Sequence, residues 1–266
     1  MKGISLQFSL LCALCLVVEA VQLQSLQPDS NFHLYLLIGQ SNMAGRGALE
    51  TNQLPSHPHV LMFTKELNWQ PAKDPLHFDK PAAGVGPGLS FGESMATAFP
   101  SAKIGLVPCA VGGTSIHAWL PNAEDKATKT HPYDDMLKRM REAQRFGVLK
   151  GIIWHQGESD RKNDTNYSEE LTSLVVRLRQ DLHVSEVPFV AGELTVFNQD
   201  NQAATEHFNN VLHGLTNTIT YYACASGTAL ADKGDHLHYS SASARILGQR
   251  YAEKMLELQR IQKPSQ

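Results

Sequence analysis

From residue 32 onward, short apolar runs alternate with longer stretches whose apolar positions recur every three or four residues. Short hydrophobic runs between turn formers read as strands buried on both faces, and the longer periodic stretches read as helices laid over them. The pattern predicts strands at 32–39 (FHLYLLIG), 102–110 (AKIGLVPCA), 149–156 (LKGIIWHQ), 187–194 (VPFVAGEL) and 219–226 (ITYYACAS). A helix is predicted over 88–99, where Phe91, Met95 and Phe99 fall on one face, and another over 133–147, acidic at its start, basic later and stopped by Gly147. A third spans 167–182 with Ser168 as its N-cap, and a fourth, 241–261, closes the chain. Strands alternating with helices predict an α/β fold, with five parallel strands covered by crossover helices.

Residues 45–87 break this alternation. They are rich in Pro and His, and HVLMF and LNWQP read as arms of a small hairpin. A long irregular insertion in a compact domain is commonly a functional loop. Its place directly after Ser41 predicts that it lies over that serine, with Trp69 and Phe78 either as walls or as packing.

The first twenty residues stand apart. Lys2 precedes the apolar run ISLQFSLLCALCLVV and Ala20 offers a small residue for cleavage, the pattern of a secretory signal peptide. The run is shorter than the roughly 20 residues a membrane-spanning helix needs. The expectation is therefore a leader at 1–20, one domain at 21–266, secretion, and no stable membrane association after cleavage. Cleavage removes one basic and one acidic residue, so the net charge stays at −3. That near balance argues against nucleic acid as a partner. Cys12 and Cys15 fall inside the leader, leaving Cys109 and Cys224, which an oxidising compartment could join or leave as buried thiols. Asn163-Asp-Thr165 and Asn166-Tyr-Ser168 are glycosylation sequons.

Unusual polar residues gather where the predicted strands end. Ser41 follows the first, Gly112-Gly113 the second, Gln156-Gly157-Glu158 the third, and Asp235-His236-Leu237-His238 lies just beyond the fifth. In an open parallel sheet those carboxyl ends share one edge, where ligands bind, so the four segments are expected to converge. A serine hydroxyl becomes a nucleophile when a base takes its proton and a third group orients that base. Asp235 and His238, three residues apart, meet on one face if the loop makes a helical turn, with His236 pointing away. Donors for a developing oxyanion are available from the Ser41 and Gly113 N–H groups and the Gln156 amide. Met43 stands where a G-x-S-x-G elbow needs glycine, so that motif is absent.

In this order and spacing, GQSNMAGRG, VPCAVGGTSIHAW, WHQGESD and DHLH resemble the sequence blocks of SGNH-type carbohydrate esterases, the group of sialate O-acetylesterases and acetylxylan esterases. The resemblance implies a three-layer α/β/α sandwich of flavodoxin-like type that hydrolyses O-acetyl esters on oligo- or polysaccharides, with neither metal nor organic cofactor. By matching position it makes Ser41 the nucleophile, His238 the base and Asp235 its partner. Ser41, Gly113 and Gln156 become the oxyanion donors, Gln156 replacing the asparagine of the wider group. Glu158 would support the site from beneath or orient His238, while Trp119, Trp154 and His155 would be walls or packing. Three other readings stay open: acetyl transfer by the same triad, non-catalytic glycan binding through Trp69 and Trp119, and a metal held by His236, His238 and Asp235.

Overall fold

Strand β1 (Asp29–Gly39) runs through the middle of the molecule, flanked in parallel by β4 (Lys103–Pro108) and β5 (Gly147–His155). The computed structural model describes residues 27–50 and 57–262, so the leader-like stretch lies outside the described residues. Beyond β5 the sheet continues through β6 (Phe189–Gly192) and β7 (Tyr222–Ala225), again in parallel. On the other side β2 (Val60–Phe63) pairs in parallel with β4, and β3 (Trp69–Pro71) pairs antiparallel with β2 at the edge. The order is β3-β2-β4-β1-β5-β6-β7. All five expected strands form. The hairpin read within the insertion adds two more, so the sheet has seven strands rather than five.

Alternation along β1 shows how the layers assemble. Leu34, Leu36 and Ile38 face one side, Tyr35 and Leu37 the other, and all five are fully buried. On the first side lie α3 (Pro132–Ala143), α4 (Tyr167–Asp181) and α5 (Gln202–Gly214), contributing Met136, Met140, Leu174, Leu178, Phe208 and Leu212. The second side is covered by α2 (Gly88–Ala98) and α6 (Ser241–Gln262), through Phe91, Met95, Leu247, Tyr251 and Met255. The result is the expected α/β/α sandwich. Burying one such side chain contributes about 1.5–3 kcal/mol, so β1 is fixed from both faces and its carboxyl end has one place to be.

Three local expectations are corrected. Helix α3 ends at Ala143, and Gly147 opens β5 instead of stopping a helix. Helix α4 is capped at Asn166 without a side-chain bond, so Ser168 lies inside the first turn. Helix α5 was not expected, because its buried positions are only Thr205, Phe208 and Leu212 and the apolar signal is sparse.

Cys109 and Cys224 are both free thiols. They lie at β4 and on β7, four strand spacings or roughly 19 Å apart, far beyond disulfide reach. Burial pushes both thiols up to about 11.

Candidate active site

A sharp turn leaves β1 at Gly39, whose φ of +131° disfavours other residues and where an added Cβ would collide with the His155 carbonyl. The Gln40 N–H donates to the same carbonyl at 2.8 Å, and the Gln40 carbonyl accepts from Met43 and Ala44, starting the short helix α1 (Ser41–Ala44). Ser41 therefore opens a helix at the carboxyl edge of the sheet, 7 % exposed.

From the far end of the chain, His238 arrives opposite Ser41. Its Nε2 lies 3.1 Å from the Ser41 Oγ, and its Nδ1 lies 2.7 Å from Asp235 Oδ2. Facing a carboxylate, Nδ1 carries the ring proton, which leaves Nε2 as acceptor for the serine hydroxyl. The Asp235–His238 loop is a series of bends rather than the expected helical turn. Asp235 Oδ1 accepts from the N–H groups of Leu237 and His238 at 3.1 and 2.8 Å, and this closes the same three-residue gap. Slight burial works to raise the Asp235 carboxyl, but those two N–H groups and the imidazole hold it well below the usual carboxylate range. His236, at φ +56°, turns away toward Asp232.

The backbone N–H groups of Ser41 and Gly113 donate to no acceptor among the described residues. Gly113 has φ +88° and open space where a side chain would be, so conformation rather than crowding calls for glycine there. Its neighbour Gly112 is gripped from both sides. The Gly112 N–H donates to Asp79 Oδ2 at 2.9 Å, and its carbonyl accepts from Lys80 Nζ at 2.7 Å. Asp79 is itself paired with Arg46 at 2.7 Å, the two side chains being 1 % and 6 % exposed. A Cβ on Gly112 would strike that guanidinium. The insertion thus reaches the site through Arg46, Asp79 and Lys80. None of them was expected from sequence, where no spacing marks a buried charge inside an irregular loop.

Gln156 comes to the floor of the site, but not as an open donor. It is fully buried, and its Nε2 donates to Asp160 Oδ2 in a short contact, to the Thr114 carbonyl at 3.0 Å and to Gln40 Oε1 at 3.2 Å. Its Oε1 accepts from the Tyr167 hydroxyl at 2.8 Å. An amide has two hydrogens, and both have partners inside the protein. Burial raises the Asp160 carboxyl, against the opposing bonds from Gln156 and the Ile116 N–H. Gln156 and Asp160 therefore pin Thr114 and Ile116, the residues that follow Gly113.

Glu158 lies beneath Asn42, accepting from Nδ2 at 2.5 Å, and 3.6 Å from His155 Nε2. Complete burial would raise its carboxyl, but His155 and the Asn42 amide more than offset this and hold it low. Among the described residues no hydrogen bond or ion pair joins it to His238, whose Nδ1 is met by Asp235.

Other residues expected near the site lie elsewhere. Trp69 packs at 4.7 Å between the rings of Phe32 and Phe63, beside the amino-terminal half of β1, so it is packing and not a wall. Phe78 lies under the Arg139 guanidinium, 4.7 Å from its ring centroid. Trp119 and Trp154 are fully buried against one another, and neither offers a face to a glycan. Among the described residues no three His, Cys, Asp or Glu side chains are grouped to hold a metal ion, and no helix is long and apolar enough to cross a membrane.

A mostly parallel α/β/α sandwich that brings a serine, an imidazole and a carboxylate into line at its carboxyl edge has the arrangement of a serine hydrolase. The chain belongs to the family described as "Carbohydrate esterase, sialic acid-specific acetylesterase", whose model matches residues 31–257. It is a carboxylic ester hydrolase of the carbohydrate acetylesterase type. A probable carbohydrate esterase of Arabidopsis thaliana is 30% identical over 246 residues, covering 84% of this chain and 90% of its own. The X-ray structure of that protein superposes with a TM-score of 0.75 at 29% identity, over 86% of this chain and 99% of the other. NanS shares the fold at a TM-score of 0.67 and 19% identity, over 88% and 99% of the two chains. So does a carbohydrate acetylesterase from Xanthomonas citri, at 0.61 and 18%, over 85% of this chain and 56% of that one.

Proposed function

We propose that the protein removes O-acetyl groups from carbohydrates with Ser41 as nucleophile, His238 as general base and acid, and Asp235 as the group that orients the imidazole. The supporting observation is the unbroken chain from Asp235 Oδ2 through His238 to Ser41 Oγ, at 2.7 and 3.1 Å. As Nε2 takes the hydroxyl proton, Oγ attacks the acetyl carbonyl carbon and the carbonyl oxygen gains charge. The free N–H groups of Ser41 and Gly113 are the donors for that oxygen. The bond to the sugar oxygen then breaks, and His238 gives its proton to that oxygen, which leaves as a hydroxyl. Water, deprotonated by the same ring, attacks the acetyl-serine; as the acyl–Oγ bond breaks the ring returns that proton to Ser41, and the acetic acid formed ionises to acetate in solution. Gln156 acts at one remove in this reading, holding the strand of backbone that aims Gly113, and Glu158 supports the Ser41 turn from below.

The substrate is an acetylated oligo- or polysaccharide, and the family's description favours the sialate side over xylan. Ser41→Ala should abolish acetate release from O-acetylated sialic acid and from acetylxylan, leaving about 10³- to 10⁴-fold catalysis over water at most. Near-parental turnover by that variant would refute the mechanism. Comparing the two acetylated substrates on the parent protein decides between them.

A further inference from the structure

Ser41 and His238 stand 197 positions apart in sequence, yet a working pair must keep its atoms within hydrogen-bond reach. The loop that carries the base is poorly suited to hold that distance alone. Residues 233–237 are all exposed, and the loop takes positive φ at Gly234 and His236. The bonds from Lys233 N–H to the His238 carbonyl, and from Ser240 N–H to the Ala231 carbonyl, keep its shape but do not tie it to the serine.

Asn42 makes that tie. It is 3 % exposed and covalently joined to Ser41. Its Nδ2 donates to the Leu237 carbonyl at 3.1 Å, and its Oδ1 accepts from the Tyr239 N–H at 3.2 Å. One side chain thus holds the peptide groups on both sides of His238. The direction of its amide is imposed from beneath, because the NH₂ end faces Glu158 Oε1 and a carboxylate accepts only from donors. Glu158 in turn is backed by His155, whose Nδ1 is 2.9 Å from the Tyr251 hydroxyl, and that hydroxyl donates to the Trp154 carbonyl at 2.8 Å. A line of polar groups therefore runs from helix α6 and strand β5 in the core to the backbone of the base.

We propose that Asn42 is a positioning residue which sets the Ser41–His238 spacing by clamping the backbone on either side of the imidazole. The role rests on the hydrolytic reading of Ser41 and His238 given above. It differs from the oxyanion and triad roles, since the hydrogen bonds of the Asn42 side chain among the described residues go to Glu158 and to the backbone of Leu237 and Tyr239, not to the Ser41 hydroxyl or the imidazole.

Asn42→Ala and the isosteric Asn42→Asp test it. Aspartate keeps the shape and an acceptor for Tyr239, but presents oxygen to Glu158 and to the Leu237 carbonyl, so it opens the clamp without leaving a cavity. Both variants should lose about 10²-fold in kcat, the cost of a misplacement near 1 Å, with KM close to the parent value. The rate at which a fluorophosphonate labels Ser41 should fall in step. A residue that only supports folding would lower the fraction of active protein and leave the labelling rate of the folded fraction unchanged. Parental kcat in Asn42→Asp, a loss carried by KM, or an undiminished labelling rate would each overturn the clamp. Failure of the underlying reading shows separately, as acetate release that survives Ser41→Ala.

Discussion

Within the Ser41–His238–Asp235 chain, the carboxylate decides which ring nitrogen is free. Asp235 accepts from Nδ1–H and from two backbone N–H groups, which hold its carboxyl far down, so it stays ionised through mildly acidic solution. Asp235→Asn turns a donor toward Nδ1, which favours the tautomer with its proton on Nε2 and removes the acceptor for the serine hydroxyl. The kcat of that variant should fall by as much as about 10⁴-fold, measured on an acetyl ester with folding checked by circular dichroism; a change of only a few fold would mean that Asp235 does not orient the ring. The meeting of these residues was legible from the parallel order of the strands and the short spacing of Asp235 and His238, although bends and two N–H bonds to Asp235, not the expected helical turn, close that spacing. Gln156 was less so: its place at a strand end was correct, but the acceptors Asp160 and Thr114 that occupy its amide come from packing. Asn42 gave no signal at all, since its partners Leu237 and Tyr239 lie across the fold and are reached through main-chain atoms.

The elements divide in the same way. Strands β1, β4, β5, β6 and β7 were readable from their apolar runs, and the convergence of their carboxyl ends followed from parallel order. The insertion was readable only as an exception to the pattern. Arms of three and four residues carry too little period to announce that β2 and β3 join the sheet. The part that matters for the site, Asp79 and Lys80, has no regular structure to predict. Its effect is a brace: Arg46 comes from its start, just beyond α1, and Asp79 and Lys80 from near its end, and together they hold both polar groups of Gly112. Asp79→Asn leaves the Arg46 charge buried without its counter-ion, a change that costs about 3–5 kcal/mol. Urea unfolding should show that loss of stability, and a midpoint unchanged from the parent would show that the pair carries no weight.

Across the whole molecule, two buried groups of the insertion shape the response to pH in opposite senses. Burial raises Asp74 from 3.8 to about 6, with Arg245 opposing, and burial lowers His77 from 6.5 to about 4, with Asp79 opposing. Between these values the folded chain binds more protons at Asp74 than the unfolded chain does, so the Asp74 contribution to stability falls as pH rises from about 4 to about 6. At His77 the unfolded chain binds more, so that contribution rises as pH climbs from about 4 to 6.5. Asp74→Asn removes the falling half, and its urea midpoint should therefore climb more steeply across this window than the parent's; parallel profiles would contradict the assignment. The proposed function depends on something simpler, the reactivity of one hydroxyl that a histidine from a distant part of the chain would make nucleophilic. Peptide mass spectrometry after treatment with a fluorophosphonate measures it directly. The expected result is an adduct on Ser41 in the parent protein and none in His238→Ala. A catalytically active parent left unlabelled at Ser41, or labelled equally without His238, would contradict it.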